Sequence, residues 1–338
     1  MLGMEDTHKR SHIAVLVTSA IMFVVTAILT FISHGPLAAA RQHVFSNNTL
    51  EVIASHRTSL TPPEWTYFTI WFLIFAWLLA TYGYMFTTIF RFTSYGYLYI
   101  APGHVTWNIY ALLCLSMALN IVWLFVVDTG NTTWTFMLSL LTTSVLFVTM
   151  LIALRRMFAR GLILQREEAT REIWLCRMTL HNALDLYATW FLYLTLLSFD
   201  AVLVYGFGVA DHLAGVGTIG FLLVTIVGFF CVDTFMLDKY SRYSFAGYIA
   251  FIIGLCGSVI NNWNGFSSVT IISTIALITS CITFGLKIAI TTIRHKREPI
   301  WTGSTMFLTN RSYGAVDERQ KSGSHSQNLT YSSDLNLY

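Results

Sequence analysis

Apolar residues gather in eight blocks along the chain, at roughly 12–33, 66–90, 106–127, 134–155, 181–204, 214–236, 245–261 and 268–293. A helix needs about 20 apolar residues to cross a hydrocarbon core roughly 30 Å thick, and these blocks have that length. They are apolar all round, whereas the core helices of soluble proteins are shorter and striped. No block contains an internal proline: Pro36, Pro62, Pro63, Pro102 and Pro299 all fall in connections, so each block can run as unbroken helix. The pattern predicts an all-α fold, a multi-pass transmembrane bundle of about eight helices.

Composition strengthens this reading. Of 338 residues, 55% are hydrophobic and 11% charged, and the mean hydropathy is +0.61; a soluble domain carries about twice that charged fraction. The partner implied is a lipid bilayer, and no nucleic-acid partner is expected. The distribution of charge then gives an orientation. With the N-terminus inside, eighteen of the twenty Lys and Arg residues fall in inside segments, leaving Arg41 and Arg57 outside. By the positive-inside rule both termini are cytoplasmic. Ala38–Ala40 resembles a signal-peptidase site, but the first block is longer than a signal core and is expected to stay as an anchor.

The blocks suggest a cytoplasmic segment 1–11, a five-helix unit 12–204, three further helices in 205–293, and a polar, disordered cytoplasmic tail 294–338. The segment 155–178 mixes charged and apolar residues at near-helical spacing. It reads equally as an interfacial helix or as a lengthening of its neighbours. Of four N-x-[ST] sequons, at Asn47, Asn131, Asn310 and Asn328, only Asn47 has an outside position on a long loop. It is the candidate glycosylation site and favours the plasma membrane or an endomembrane over mitochondria. Five cysteines are scattered singly and read as small buried hydrophobes, with no metal site. The sequence sets no oligomeric state and is compatible with a homo-oligomer.

Polar groups within apolar blocks are costly and call for a partner or a job. The third block carries Asn120 and, three residues on, Trp123. The fifth carries His181, Asn182, Asp185 and Asp200, with Asp185 and Asp200 within about 60° of one helix face at 100° per residue. These residues could line a polar, aromatic cavity, or could join helices by hydrogen bonds. Asp233 and Asp238 lie near Lys239 at a block edge and read as solvated. Ala246, Ala250, Gly254 and Ser258 place a small residue at every fourth position, a ridge for close helix packing. The stretch from Leu237 to Arg242 fits a weak cholesterol-contact pattern. No nucleotide loop, Ser/His/Asp set or zinc-protease motif occurs, so an enzyme is not expected.

The most specific motif opens the second block: Thr61-Pro62-Pro63-Glu64-Trp65, with Trp71 six residues further on. Two prolines stiffen the approach to the helix. This resembles the opening of the translocator protein / tryptophan-rich sensory protein family. Leu119-Asn120-x-x-Trp123 and Tyr187-Ala188-Thr189-Trp190 are similar to that family's third- and fifth-helix motifs, in the same order. The resemblance covers residues 12–204 and marks the chain as an extended, eight-helix relative. It departs from the family at Phe75 (usually Tyr) and Ser198 (usually Asn). It also lacks the sterol pattern after the fifth helix, which puts sterol binding in doubt.

What the resemblance implies is an aromatic-lined pocket for a hydrophobic or amphipathic small molecule such as a tetrapyrrole, sterol or other lipid. Its ligand-binding residues would be Trp65, Trp71, Asn120, Trp123 and Trp190, with Asp200 as a polar partner. The rival reading is a secondary transporter or channel that uses intramembrane aspartates. Against it, no helix is broken by proline and no internal repeat is visible.

Overall fold

A computed structural model describes residues 9–34, 44–45, 49–93, 96–100, 103–166, 169–265, 267–298 and 300. Asn47 and most of the tail (301–338) lie outside the described residues. Each apolar block forms a helix: α1 (Arg10–His34), α2 (Glu64–Phe90), α3 (Trp107–Asp128), α4 (Thr132–Arg166), α5 (Thr170–Gly206), α6 (Asp211–Met236), α7 (Ala246–Asn261) and α8 (Ser268–Arg297). All but α7 are long and apolar enough to span a membrane. Two short helices, Thr49–Ser55 and Asp238–Ser241, and a two-residue antiparallel pairing of Phe92–Thr93 with Gly96–Tyr97 lie in the connections. The molecule is therefore an all-α, multi-pass membrane bundle. Residues Met1–Ala289 form one compact unit; a second, from Ile290, is described only as the last turns of α8.

The mixed segment after residue 155 lengthens its neighbours. Helix α4 continues to Arg166 and α5 begins at Thr170, so charged residues extend both helices past their apolar parts. Ala153, Leu154 and Met157 stay buried, keeping one face of the extension apolar.

Successive helices alternate in direction. At one end of the bundle Asp185 of α5 meets Gly247 of α7, and Lys287 of α8 meets Asp233 of α6. At the other end Tyr193 of α5 meets Ser258 of α7, and the Ser59 amide donates to Asp211 at the start of α6. The first end holds the clustered basic residues and is called inner, the second outer. Near the inner end, His104 is fully buried, with its Nε2 2.6 Å from the Tyr84 hydroxyl. Arg91 spans from the Tyr84 ring to the Glu172 carboxylate beside it.

Helix α7 has 16 residues, a length of about 24 Å at 1.5 Å rise per residue, short of a full span. Its inner end is held by α5 and its outer end by the connection that leads into α2. The Asn182 Oδ1 of α5 accepts from the amides of Phe245 (2.9 Å) and Ala246 (3.2 Å), and Asp185 Oδ2 accepts from Gly247 (2.8 Å). Free amides at a helix N-terminus need acceptors, and in hydrocarbon only protein can supply them. At the outer end the side-chain amides of Asn261 and Asn262 both donate to the carbonyl of Thr61, just before the Pro62-Pro63 pair.

Glycines permit the fit. A Cβ on Gly254 would sit 2.9 Å from the Tyr193 ring of α5, and one on Gly257 would strike Thr66 of α2. The small-residue ridge is thus a contact surface, with Ala246, Ala250, Gly254 and Ser258 all buried.

Candidate functional site

Helices α2, α3 and α5 turn aromatic residues at helical spacing toward a common interior. Tyr67, Trp71 and Phe75 follow one another on α2; Met117, Asn120 and Trp123 do so on α3; Tyr187, Trp190, Phe191 and Leu194 do so on α5. Phe191 is the hub, its ring 5.9 Å from Trp71 and 5.8 Å from Trp123, edge to face with both. Trp71 stacks on Phe75 at 5.5 Å, and Trp190 stacks on Tyr193 at 5.6 Å while meeting Tyr67 edge-on. Phe75, where the resembled family has Tyr, thus serves as an apolar stacking face.

Four of the six candidate ligand residues converge here. Trp71, Asn120, Trp123 and Trp190 are all buried. Asn120 donates through Nδ2 to the Tyr187 hydroxyl at 3.1 Å. Its Oδ1, and the indole nitrogens of Trp71, Trp123 and Trp190, have no hydrogen-bond partner among the described residues. An unmatched buried polar atom costs about 1–3 kcal/mol, so four in one interior is a large concentration.

The other two candidates lie elsewhere. Trp65 is 46% exposed, on the outside of α2, where the turn after the prolines points it away from α3 and α5. Asp200 is buried and faces α6, accepting from the Thr218 hydroxyl at 3.2 Å. Ser198, two residues earlier and so about 200° round the helix, takes the cavity-facing position instead.

That cavity lies at the outer end and has a volume of about 80 Å³. Tyr67, Trp123, Leu194 and Ser198 form its inner walls, and Val52, Ile53 and His56 cover it from the short helix Thr49–Ser55 and the turn after it.

A second polar constellation occupies the inner end. Asp233 is buried, contrary to its solvated reading, and its Oδ2 lies 2.7 Å from Lys287 Nζ and accepts from the Tyr248 hydroxyl at 2.9 Å. Lys287 is 1% exposed. Asp238 pairs with Arg242 at 2.5 Å. The sequence held a sign of Asp233's burial: the stripe Ile219, Leu222, Ile226 on α6 leads at helical spacing to residue 233. No such stripe singles out Lys287, because its partner lies on another helix. No cluster of three or more His, Cys, Asp or Glu residues suited to a metal ion occurs among the described residues.

These features define a multi-pass helical membrane protein with an aromatic core between α2, α3 and α5 and a buried ion pair between α6 and α8. Comparison with known proteins adds no name: no family model, no curated protein and no solved structure matches the chain.

Proposed function

We propose that this protein is an extended relative of the translocator protein / tryptophan-rich sensory protein family, and that it binds a hydrophobic or amphipathic small molecule between α2, α3 and α5. The observation that carries this reading is the set of three unpartnered indole N–H groups and the Asn120 Oδ1, all at positions of the resembling motifs. Tryptophan offers a broad apolar face with a single donor, which suits a flat or ring-bearing ligand with acceptor atoms at its edge. Of the proposed ligand residues Trp123 lines the outer cavity, together with Tyr67 and Ser198, while Trp71, Asn120 and Trp190 are buried outside its lining. The termini face the cytoplasm, in keeping with the basic inner end.

Size narrows the ligand. Pockets for drug-sized molecules are about 300–1,000 Å³, so a cavity of about 80 Å³ seats one ring or a short chain. A tetrapyrrole or sterol is accommodated whole only when the short helix Thr49–Ser55 moves aside.

The test is quenching of intrinsic fluorescence by a porphyrin and by a sterol-like probe on detergent-purified protein, compared by affinity. Trp123→Leu and Trp190→Leu are expected to weaken binding at least tenfold, while Trp65→Leu leaves it unchanged. Equal affinities across all variants, or no binding by the wild type, would defeat the reading.

A further inference from the structure

The inner polar constellation holds a second carboxyl beside the Asp233–Lys287 pair. Two carboxyl groups, Asp185 on α5 and Asp233 on α6, lie near one another around a single cation, Lys287 of α8. Lys287 is engaged with Asp233 and also donates to the Ser241 carbonyl at 3.4 Å. Tyr248 of α7 contributes its hydroxyl to Asp233 as a neutral donor. In the connecting turn Arg242 is paired with Asp238, so it brings no surplus charge. Arg177, at the start of α5, lies 4.3 Å from the Tyr243 ring centroid and stacks over it. Asp185 itself meets no cation at ion-pair distance among the described residues, and an ionised carboxyl left so within a membrane bundle is expensive.

The Asp185 carboxyl is met by neutral groups. One of its oxygens, Oδ2, accepts from the Gly247 amide. The other, Oδ1, is buried with the Ser244 hydroxyl beside the same carboxyl as its one side-chain donor, and the hydroxyl oxygen of Thr189, one turn along α5, is buried without a hydrogen-bond partner. Asp185 Oδ1 and Thr189 Oγ1 each lie 2.6 Å from the point where a Cβ on Gly247 would stand. A carboxylate oxygen and a threonine oxygen thus meet at a gap that exists because residue 247 has no side chain. The Thr189 hydroxyl can donate or accept there, so a hydrogen on Oδ1 would have an acceptor facing it and would remove the carboxyl's buried charge. The gap is no wider than a methyl group and leaves no room for a hydrated metal ion.

We infer that Asp185 is a proton-binding site of the bundle: it carries an exchangeable proton on Oδ1, directed at Thr189, beside the Asp233–Lys287 pair. The site lies at the inner end, away from the aromatic cavity, and its existence does not depend on the ligand reading. Uptake and release there would alter the cap on α7, because the same carboxyl accepts from the first turn of that helix.

Infrared difference spectroscopy on the purified full-length protein tests this, since a protonated carboxyl has its own carbonyl band. At neutral pH, where exposed carboxyls are ionised, the wild type is expected to show such a band and to lose it in alkali. Asp185→Asn should abolish the band, while Asp200→Asn retains it. Thr189→Val, nearly the same shape, should shift its frequency, and it decides the matter should Asp185→Asn fail to fold. A wild type without the band, a band that survives Asp185→Asn, or one indifferent to Thr189→Val would overturn the inference. Loss of the band on replacing choline chloride with sodium chloride at constant pH would also overturn it, in favour of a metal cation.

Discussion

His104 illustrates how a single residue outside the spans couples the fold to pH. Burial, with the Arg91 guanidinium nearby, pushes its imidazole down to about 4 from an ordinary value of 6.5. The folded protein therefore resists protonating it, while the unfolded chain does not. Its contribution is complete above about pH 6.5 and is lost as the pH falls toward 4, reaching roughly 3 kcal/mol at its limit. Thermal unfolding in detergent at pH 7.5 and at pH 4.5 should show a drop in Tm that is clearly smaller in His104→Phe, and equal drops would refute the assignment. Some residues were readable in advance. The burial of Trp71, Asn120, Trp123 and Trp190 follows from their place in apolar blocks. The exposure of Trp65 and the turn of Asp200 toward α6 do not, because a sequence fixes order along the chain but not which way a helix is turned.

Among elements, α7 shows what the hydrophobic pattern can and cannot reveal. Its existence and its small-residue ridge follow from the sequence, since a repeat of four brings Ala246, Ala250, Gly254 and Ser258 onto one face. Its partners do not follow, because packing on α5 and α2 is decided by shapes far away in sequence. The contact is tight enough to be tested directly. In Gly254→Leu the new side chain would collide with the Tyr193 ring, an element held between neighbours that cannot yield. The variant should lose several degrees of Tm and become sensitive to protease at the inner turn between α6 and α7. Leu213→Ala, whose side chain is exposed on α6, is the matched control and should change neither. The end of α4 teaches a complementary lesson: of the two readings of the charged segment after 155, an interfacial helix or a lengthening of its neighbours, the second holds, since leaving the bilayer does not require leaving the helical conformation.

For the whole molecule, eight alternating helices return the chain to the side on which it started, and the count of positive charges selects that side as cytoplasmic. A cysteine replacing Gly265, exposed between α7 and α8, should react with an impermeant reagent on intact cells, whereas one replacing Lys239 should react only after permeabilisation; the reverse pattern would invert the model. The number of helices was legible because insertion follows hydrophobicity. The grouping of α6, α7 and α8 with the first five helices was not legible, since it rests on pairings such as Lys287 with Asp233. The capped start of α7 also bears on synthesis. The Gly247 amide comes 62 residues after Asp185 in the chain. While a ribosome makes those residues, α5 waits in the membrane with Asn182 and Asp185 unmatched, and α7 is too short to be a secure stop for the insertion machinery. Each therefore completes the other.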